Sequence, residues 1–349
     1  MKVGAVPEGL FERLVTLTGL APVPIVETFY AVIAARAIMV ASRIGVFAAL
    51  QSGPLSVEEI SRRLGVDARA LEKLLNALVP AGYLEFKGKR YTPTRLARRW
   101  LTPQSPLSLH HSMLLRFLEW QAIEATEDFV RAGKALDVHE RIGEHEWGIY
   151  QRGMRDLARL SAGEVARRVR LPAGASAMLD LGGGHATYSV AFCRRHPQLK
   201  ATVLDLPPAV EAAAPILAEE NMGARVVHRR GDARTADLGE GAWDLVLMSH
   251  LLHHFDRRTN AELMARAARA LRGGGVVTIL DMLRPPSPGA GGQTGALLDL
   301  YFAITSNSGT WSCAEITCWF KEARLQPRNV IPLRSAPGLS VLVATKPGD

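Results

Sequence analysis

The hydrophobic positions of the chain change period once, near residue 170, and the change separates two architectures. Before it the period is helical. Val32, Ala35, Met39, Ser42 and Val46 fall at steps of three and four residues, and Ile33, Ala34, Ala37, Val40, Ala41 and Ile44 fill other sides of the same turn. A helix that is apolar on more than one side needs burial on more than one side. The stretch from Val32 to Leu50 is therefore expected at an interface between two copies of the chain. Next, Gly53-Pro54-Leu55-Ser56 turns the backbone, and Ser56 with Glu59 forms a capping box for a helix over 57–64 that stops at Gly65. A second helix follows Asp67, with Ala70, Leu71, Leu74, Leu75, Leu78 and Val79 on its inner face. Alternation from Gly82 to Phe86, a Lys87-Gly88-Lys89 turn and Tyr91-Thr92-Pro93 predict a short hairpin. Helix, turn, helix, hairpin is the winged-helix order.

Residues 106–170 keep a helical pattern. Beyond them, short apolar runs alternate with helical segments. The expected strands are Ala177–Leu181, Lys200–Asp205, Arg225–Arg229, Trp243–Ser249, Val276–Asp281 and Leu339–Thr345. That alternation predicts a parallel sheet with helices on both faces, a Rossmann-like α/β domain. Pro285–Gly292 reads as a surface loop. Two domains are expected: a mainly helical winged-helix-like domain over 1–105, and an α/β domain over 106–349 whose first part, 106–170, links the two and caps a pocket.

Composition narrows the picture little. At 349 residues the chain is longer than one core usually organises. Its net charge of +8 is spread among mixed acidic and basic runs such as Glu58-Glu59-Ile60-Ser61-Arg62-Arg63, the pattern of a solvated surface. A winged-helix DNA reader would need more outward Arg, Lys, Asn or Gln than Arg69, Lys73 and Asn76 supply, so no nucleic-acid partner is expected. Arg36 and Arg43 interrupt the apolar stretch from Thr28 to Leu50, so no membrane span is expected there. Cys193, Cys313 and Cys318 form no C-x-x-C pair and read as reduced thiols of a cytoplasmic protein.

The candidate chemistry starts at Asp180-Leu181-Gly182-Gly183-Gly184-His185-Ala186-Thr187, a glycine loop between a strand and a helix. A dinucleotide fingerprint would place its third glycine at Thr187. A carboxylate at Asp180 would repel a pyrophosphate but attract a ligand carrying a sulfonium and an ammonium, which favours S-adenosylmethionine. Asp205, ending the second strand before Leu206-Pro207, suits both hydroxyls of a ribose. Asp232, after Gly231, could accept from an adenine amino group. Gly182, Gly183, Gly184, Leu206 and Ser249 complete the expected cofactor contacts.

These motifs resemble the plant and bacterial small-molecule O-methyltransferase family, which pairs a winged-helix-like dimerisation domain with a class I methyltransferase domain. The D-x-G-G-G-x-G loop matches Asp180 to Ala186, with alanine at its last position. F-D-L-P matches Leu204-Asp205-Leu206-Pro207, and G-D matches Gly231-Asp232. The family's L-H-D-W-x-D reads Leu252-His253-His254-Phe255-Asp256, so His253 takes the place of the catalytic histidine and His254 replaces an aspartate. The resemblance implies Asp281 and Glu315 as the carboxylates that orient it, Glu315 with Trp311-Ser312 where the family has R-T. It implies a homodimer, and methyl transfer to a hydroxyl of a small, aromatic acceptor with a histidine base. Non-methylating chemistry on the same scaffold (hydroxylation, decarboxylation or cyclisation) is the alternative.

For the acceptor pocket the candidates are His110, His111, Trp147, Tyr150 and Met154. For each of them a solvated helix end or ordinary packing is the competing reading. His250 and His254 stand four apart but straddle a strand end without an evident third ligand, so no metal site is expected.

Overall fold

The computed structural model describes residues 3–348 apart from 291 and 307; Gly291 of the expected Pro285–Gly292 loop thus lies outside the described residues. The chain divides into two compact units, one up to Leu118 and one from Glu119 onward.

In the first unit the apolar helix runs from Ala31 to Arg43 and stops where Gly45 takes a φ of 88°, so Val46–Ala49 forms a separate turn rather than continuing it. Ser56 and Glu59 form the capping box of Val57–Leu64, and Asp67 caps Ala68–Leu78. Strands β1 (Leu84–Lys87) and β2 (Arg90–Pro93) make the hairpin. The core joins Phe47, Leu50, Ile60, Leu71, Leu75, Leu78, Leu84 and Tyr91. The N-terminal side is different. Leu10, Phe11, Leu14, Leu17, Phe29, Tyr30, Val32 and Ile33 are exposed within one chain. By length and composition Val23–Arg43 is apolar enough to cross a membrane, despite Arg36 and Arg43.

The second unit is built on one sheet. Its strands are β3 (Ala177–Leu181), β4 (Lys200–Asp205), β5 (Val226–Arg230), β6 (Trp243–Ser249), β7 (Leu271–Arg284), β8 (Trp311–Ser312), β9 (Gln326–Pro327), β10 (Ile331–Pro332) and β11 (Leu339–Thr345). Their order is β10-β11-β7-β6-β3-β4-β5, with β8 on β7 and β9 on β11. Strands β3 to β7 are parallel; β11 runs against β7. The chain moves outward from β3 through β5 and then returns to the other side at β6. The gap between the ends of β3 and β6 is the switch point where open sheets bind ligands.

Why these strands stay central is visible in β6. Leu245 and Leu247 pack into one apolar layer with Val165 and Phe192, whereas Val246 and Met248 pack into the other with Leu263 and Phe320. A strand buried on both faces reads as a continuous apolar run. Strand β7 is longer than the expected Val276–Asp281 at both ends, and β8, β9 and β10 were not foreseen.

Candidate active site

The glycine loop leaves β3 with Gly182 N–H donating to the Leu204 carbonyl at 2.8 Å. At Gly183 a Cβ would lie 2.5 Å from Asp180 Cγ, closer than packed atoms approach, so only glycine lets the loop fold over that carboxylate. Asp180 is buried. Its Oδ2 accepts from the Ser189 hydroxyl at 2.7 Å, and its Oδ1 has no hydrogen-bond partner. Burial pushes its pKa up to about 7. Ala186, the departure from the family loop, is buried with a φ of 62°, a conformation glycine adopts more easily.

Asp205 faces the same loop. Its carboxylate accepts from the Gly184 N–H at 2.8 Å and from the Leu206 N–H at 2.7 Å, and burial raises its pKa to about 6. Each oxygen keeps a lone pair for a further donor. His228 of β5 donates through Nε2 to the Gly184 carbonyl at 2.8 Å. Gln151 packs against Gly184 from the helix Glu144–Arg168. Neither residue carried a signal in the sequence; both arrive through tertiary packing.

Gly231 binds back to the Asp205 carbonyl at 2.9 Å. Asp232 is held by Arg234, with oxygens at 2.7 to 3.1 Å from the guanidinium. Burial works to raise its pKa, but the Arg234 contacts together hold it below the usual carboxylate range. The adenine role foreseen for Asp232 therefore requires sharing with Arg234. Ser249 is buried at the end of β6.

Past β6, His250 has a φ of 53° and its N–H donates to the Leu280 carbonyl at 2.8 Å. The turn places His253 beside Asp281 of β7. Its Nδ1 lies 3.1 and 3.2 Å from the two carboxylate oxygens. Both side chains are buried, and the imidazole stacks on Phe302 with centroids 3.8 Å apart. Burial alone would raise the pKa of Asp281, but His253, His250 and the Met282 N–H together keep the carboxyl below its ordinary range. An ionised carboxylate only accepts, so the Nδ1 of His253 carries a proton. Ser306 and Ser308 donate to the His253 carbonyl, fixing the turn.

His250, His253 and Asp281 bring three donor atoms within 4.8 Å of one another. The pair read from spacing, His250 and His254, does not make this group: His253 stands in place of His254, and Asp281 is its third member.

Glu315 bonds to other groups. It caps its own helix through Ser312 and pairs with Arg257 and Arg284, both at 2.6 Å. These partners take up its carboxylate, and Asp281 is the carboxylate bonded to the ring of His253. Of the expected pocket residues, Trp147 and Tyr150 meet with centroids 5.6 Å apart, and Met154 is half-buried on the same helix. His110 and His111 pair at 5.3 Å at the start of the helix His110–Glu124, within the first unit. His139 was not foreseen. It bonds to Tyr150 and packs its edge on His254 at 4.5 Å.

A sheet of this order with carboxylates around a glycine loop at its switch point is how class I S-adenosylmethionine-dependent methyltransferases are built. The comparisons agree. Residues 132–324 match the O-methyltransferase domain model and residues 26–103 the O-methyltransferase dimerisation domain model, and the chain belongs to this O-methyltransferase family. It is similar to a 3-hydroxy-5-methyl-1-naphthoate 3-O-methyltransferase of Streptomyces sahachiroi, at 28% identity covering 86% of this chain and 88% of the relative. It also resembles an L-tyrosine C(3)-methyltransferase of Streptomyces lavendulae, at 26% identity over 77% and 76%. Human N-acetylserotonin methyltransferase in complex with SAM shares the fold, with a TM-score of 0.82, 20% identity and coverage of 98% and 99%. The apolar helix Val23–Arg43 overlaps the dimerisation domain, which gives its exposed face a use other than spanning a bilayer.

The site fits the cofactor. Asp180 Oδ1 is enclosed and unpartnered, a Cβ at Gly183 would fill the cradle, and two carboxylates match a ligand bearing positive charge. The enzyme is S-adenosylmethionine-dependent.

Proposed function

We propose that the enzyme methylates a hydroxyl of a small aromatic molecule, with His253 as general base. The observation that carries this reading is the buried His253–Asp281 pair, in which His253 lies on the turn after β6 whose Leu251 packs against Gly182 of the glycine loop. Bound S-adenosylmethionine supplies the methyl group as an electrophile. The protein's part is to hold the acceptor oxygen in line and to exclude water. A phenol with a pKa near ~10 attacks faster as it loses its proton, and neutral imidazole takes that proton at physiological pH. Asp281 holds the ring in the tautomer that leaves Nε2 free and stabilises the imidazolium that forms. Asp180, Asp205 and the loop glycines bind the cofactor, with Leu206, Gly231, Asp232 and Ser249 around them. Trp147, Tyr150 and Met154 line the acceptor side. Three unpaired cysteines suit a cytoplasmic setting.

The test is calorimetry followed by turnover. S-adenosylhomocysteine binds and a nicotinamide dinucleotide does not; with S-adenosylmethionine and a panel of phenols, S-adenosylhomocysteine accumulates with a methyl ether. Binding without methyl ether in any reaction overturns the hydroxyl reading.

The active form is a homodimer. Exposed Leu10, Phe11, Leu14, Leu17, Phe29 and Tyr30 are covered by the second copy. Sedimentation at micromolar concentration gives twice the chain mass; a monomer there refutes the assignment.

A further inference from the structure

The turn that carries His253 is held from several sides. At its start the His250 N–H donates to the Leu280 carbonyl of β7. The His253 carbonyl accepts from Ser306 and Ser308, which follow the helix Gln293–Thr305. The Leu252 carbonyl accepts from Asn260 of the helix Arg257–Ala270 and from the indole N–H of Trp311, each at 2.9 Å. The Trp311 bond differs from the other side-chain bonds in where it starts. Trp311 stands on β8 and pairs with Leu283 of β7, two residues beyond Asp281. Its indole therefore ties the residue before His253 to the strand that carries the carboxylate.

Trp311 is itself held in place. Its ring meets that of the buried Trp319 with centroids 5.0 Å apart. The guanidinium carbons of Arg257 and Arg284 lie 6.0 and 5.9 Å from its centroid, at the outer reach of attraction between a cation and an aromatic face. Both arginines bond to Glu315. Burial works against the charge of Glu315, but Ser312 and the two arginines keep its pKa below the ordinary range. An arginine at 311, the family's usual residue, would put a third cation beside two that share one carboxylate. An indole adds no charge and still supplies a donor.

We propose that Trp311 is a positioning residue that keeps His253 against Asp281, and that Glu315 acts on the base through Trp311 by way of Arg257 and Arg284. The effect on turnover rests on His253 being the base; the effect on its bond to Asp281 does not, and the experiment reads the two separately.

An imidazole N–H that donates to a buried carboxylate gives a proton resonance far downfield of the amides, and its absence in His253→Ala assigns it. In Trp311→Phe, which keeps an aromatic ring and removes the donor, this resonance moves upfield. With the phenol that the native enzyme methylates fastest, kcat falls about tenfold, the increment of one hydrogen bond, while KM and S-adenosylhomocysteine affinity stay within about twofold. Glu315→Gln alone lowers kcat about threefold, and in the Trp311→Phe background it lowers nothing further, since two residues acting through one contact are not additive. A resonance unmoved in Trp311→Phe overturns the positioning role, as does a native kcat there when His253→Ala is inactive. Losses that multiply in the double variant overturn the route from Glu315 through Trp311. Melting curves establish folding; should Trp311→Phe not fold, the resonance in Glu315→Gln decides, moving upfield if the proposal holds and staying in place if it fails. Full turnover in His253→Ala, or no methylation of any phenol, removes the base reading, and the resonance alone then decides the role of Trp311.

Discussion

His253→Ala lowers turnover on a phenolic acceptor by about two orders of magnitude or more and leaves S-adenosylhomocysteine affinity within about twofold. The size follows from the chemistry: without a base the acceptor attacks as a neutral phenol. The separation of the two effects follows from geometry, because the carboxylates assigned to the cofactor are Asp180 and Asp205, whereas His253 is bonded to Asp281. The substitution opens space beside Phe302, so a melting curve establishes that the variant is folded. Asp281→Asn is a milder probe of the same pair. An amide can donate to Nδ1, which favours the tautomer with its proton on Nε2, and turnover falls with the ring still in place. Unimpaired turnover in His253→Ala removes this residue from the base role.

Cofactor affinity falls by about two to three orders of magnitude between pH 7 and pH 5, on the order of tenfold per pH unit for each carboxylate below its pKa. The cause is the pair of buried acids, Asp180 with a pKa raised to about 7 and Asp205 with one raised to about 6. In the free protein, burial favours their protonated forms. That contribution to stability is complete below the unfolded carboxyl pKa and is lost as pH rises through about 6 to 7. A cationic ligand acts in the opposite direction, since it binds the ionised forms and must expel their protons at low pH. Nearby histidines do not blur the window: burial lowers His185 to about 3 and depresses His228 as well. The shift in melting temperature given by S-adenosylmethionine is therefore larger at pH 7 than at pH 5, and Asp180→Asn flattens the dependence. Affinity that does not change across this range contradicts the role given to both acids.

How much of this was legible beforehand depended on whether a feature is local. The capping box at Ser56, the stop at Gly65 and the bounds of β3, β4, β6 and β11 were readable because period and caps are properties of a few adjacent residues. Gly45 escaped notice because the apolar pattern continues through it while the backbone does not. Within the site, Asp205 and His253 stood at strand ends, where position alone marks them. His139, Gln151 and His228 did not, since each enters from a distant segment and sits in an ordinary local pattern. Glu315 misled in the opposite way. Its place in the motif matched the family, but Arg257 and Arg284 claim its charge, and no run of neighbouring residues could announce two arginines so far away in the chain.

The antiparallel partner of β7 has a bearing on chemistry that it never touches. Asp281 is paired with Ser340 of β11, near the end of the chain. Successive residues of a strand point to opposite faces, so a slip of β7 by one position against β6 and β11 would turn the carboxylate away from His253. The last ladder of the sheet thus helps to hold the strand that brings Asp281 to His253. Shortening the tail before Leu339 would silence the enzyme from the far edge, with every residue of the cofactor cradle still in the chain.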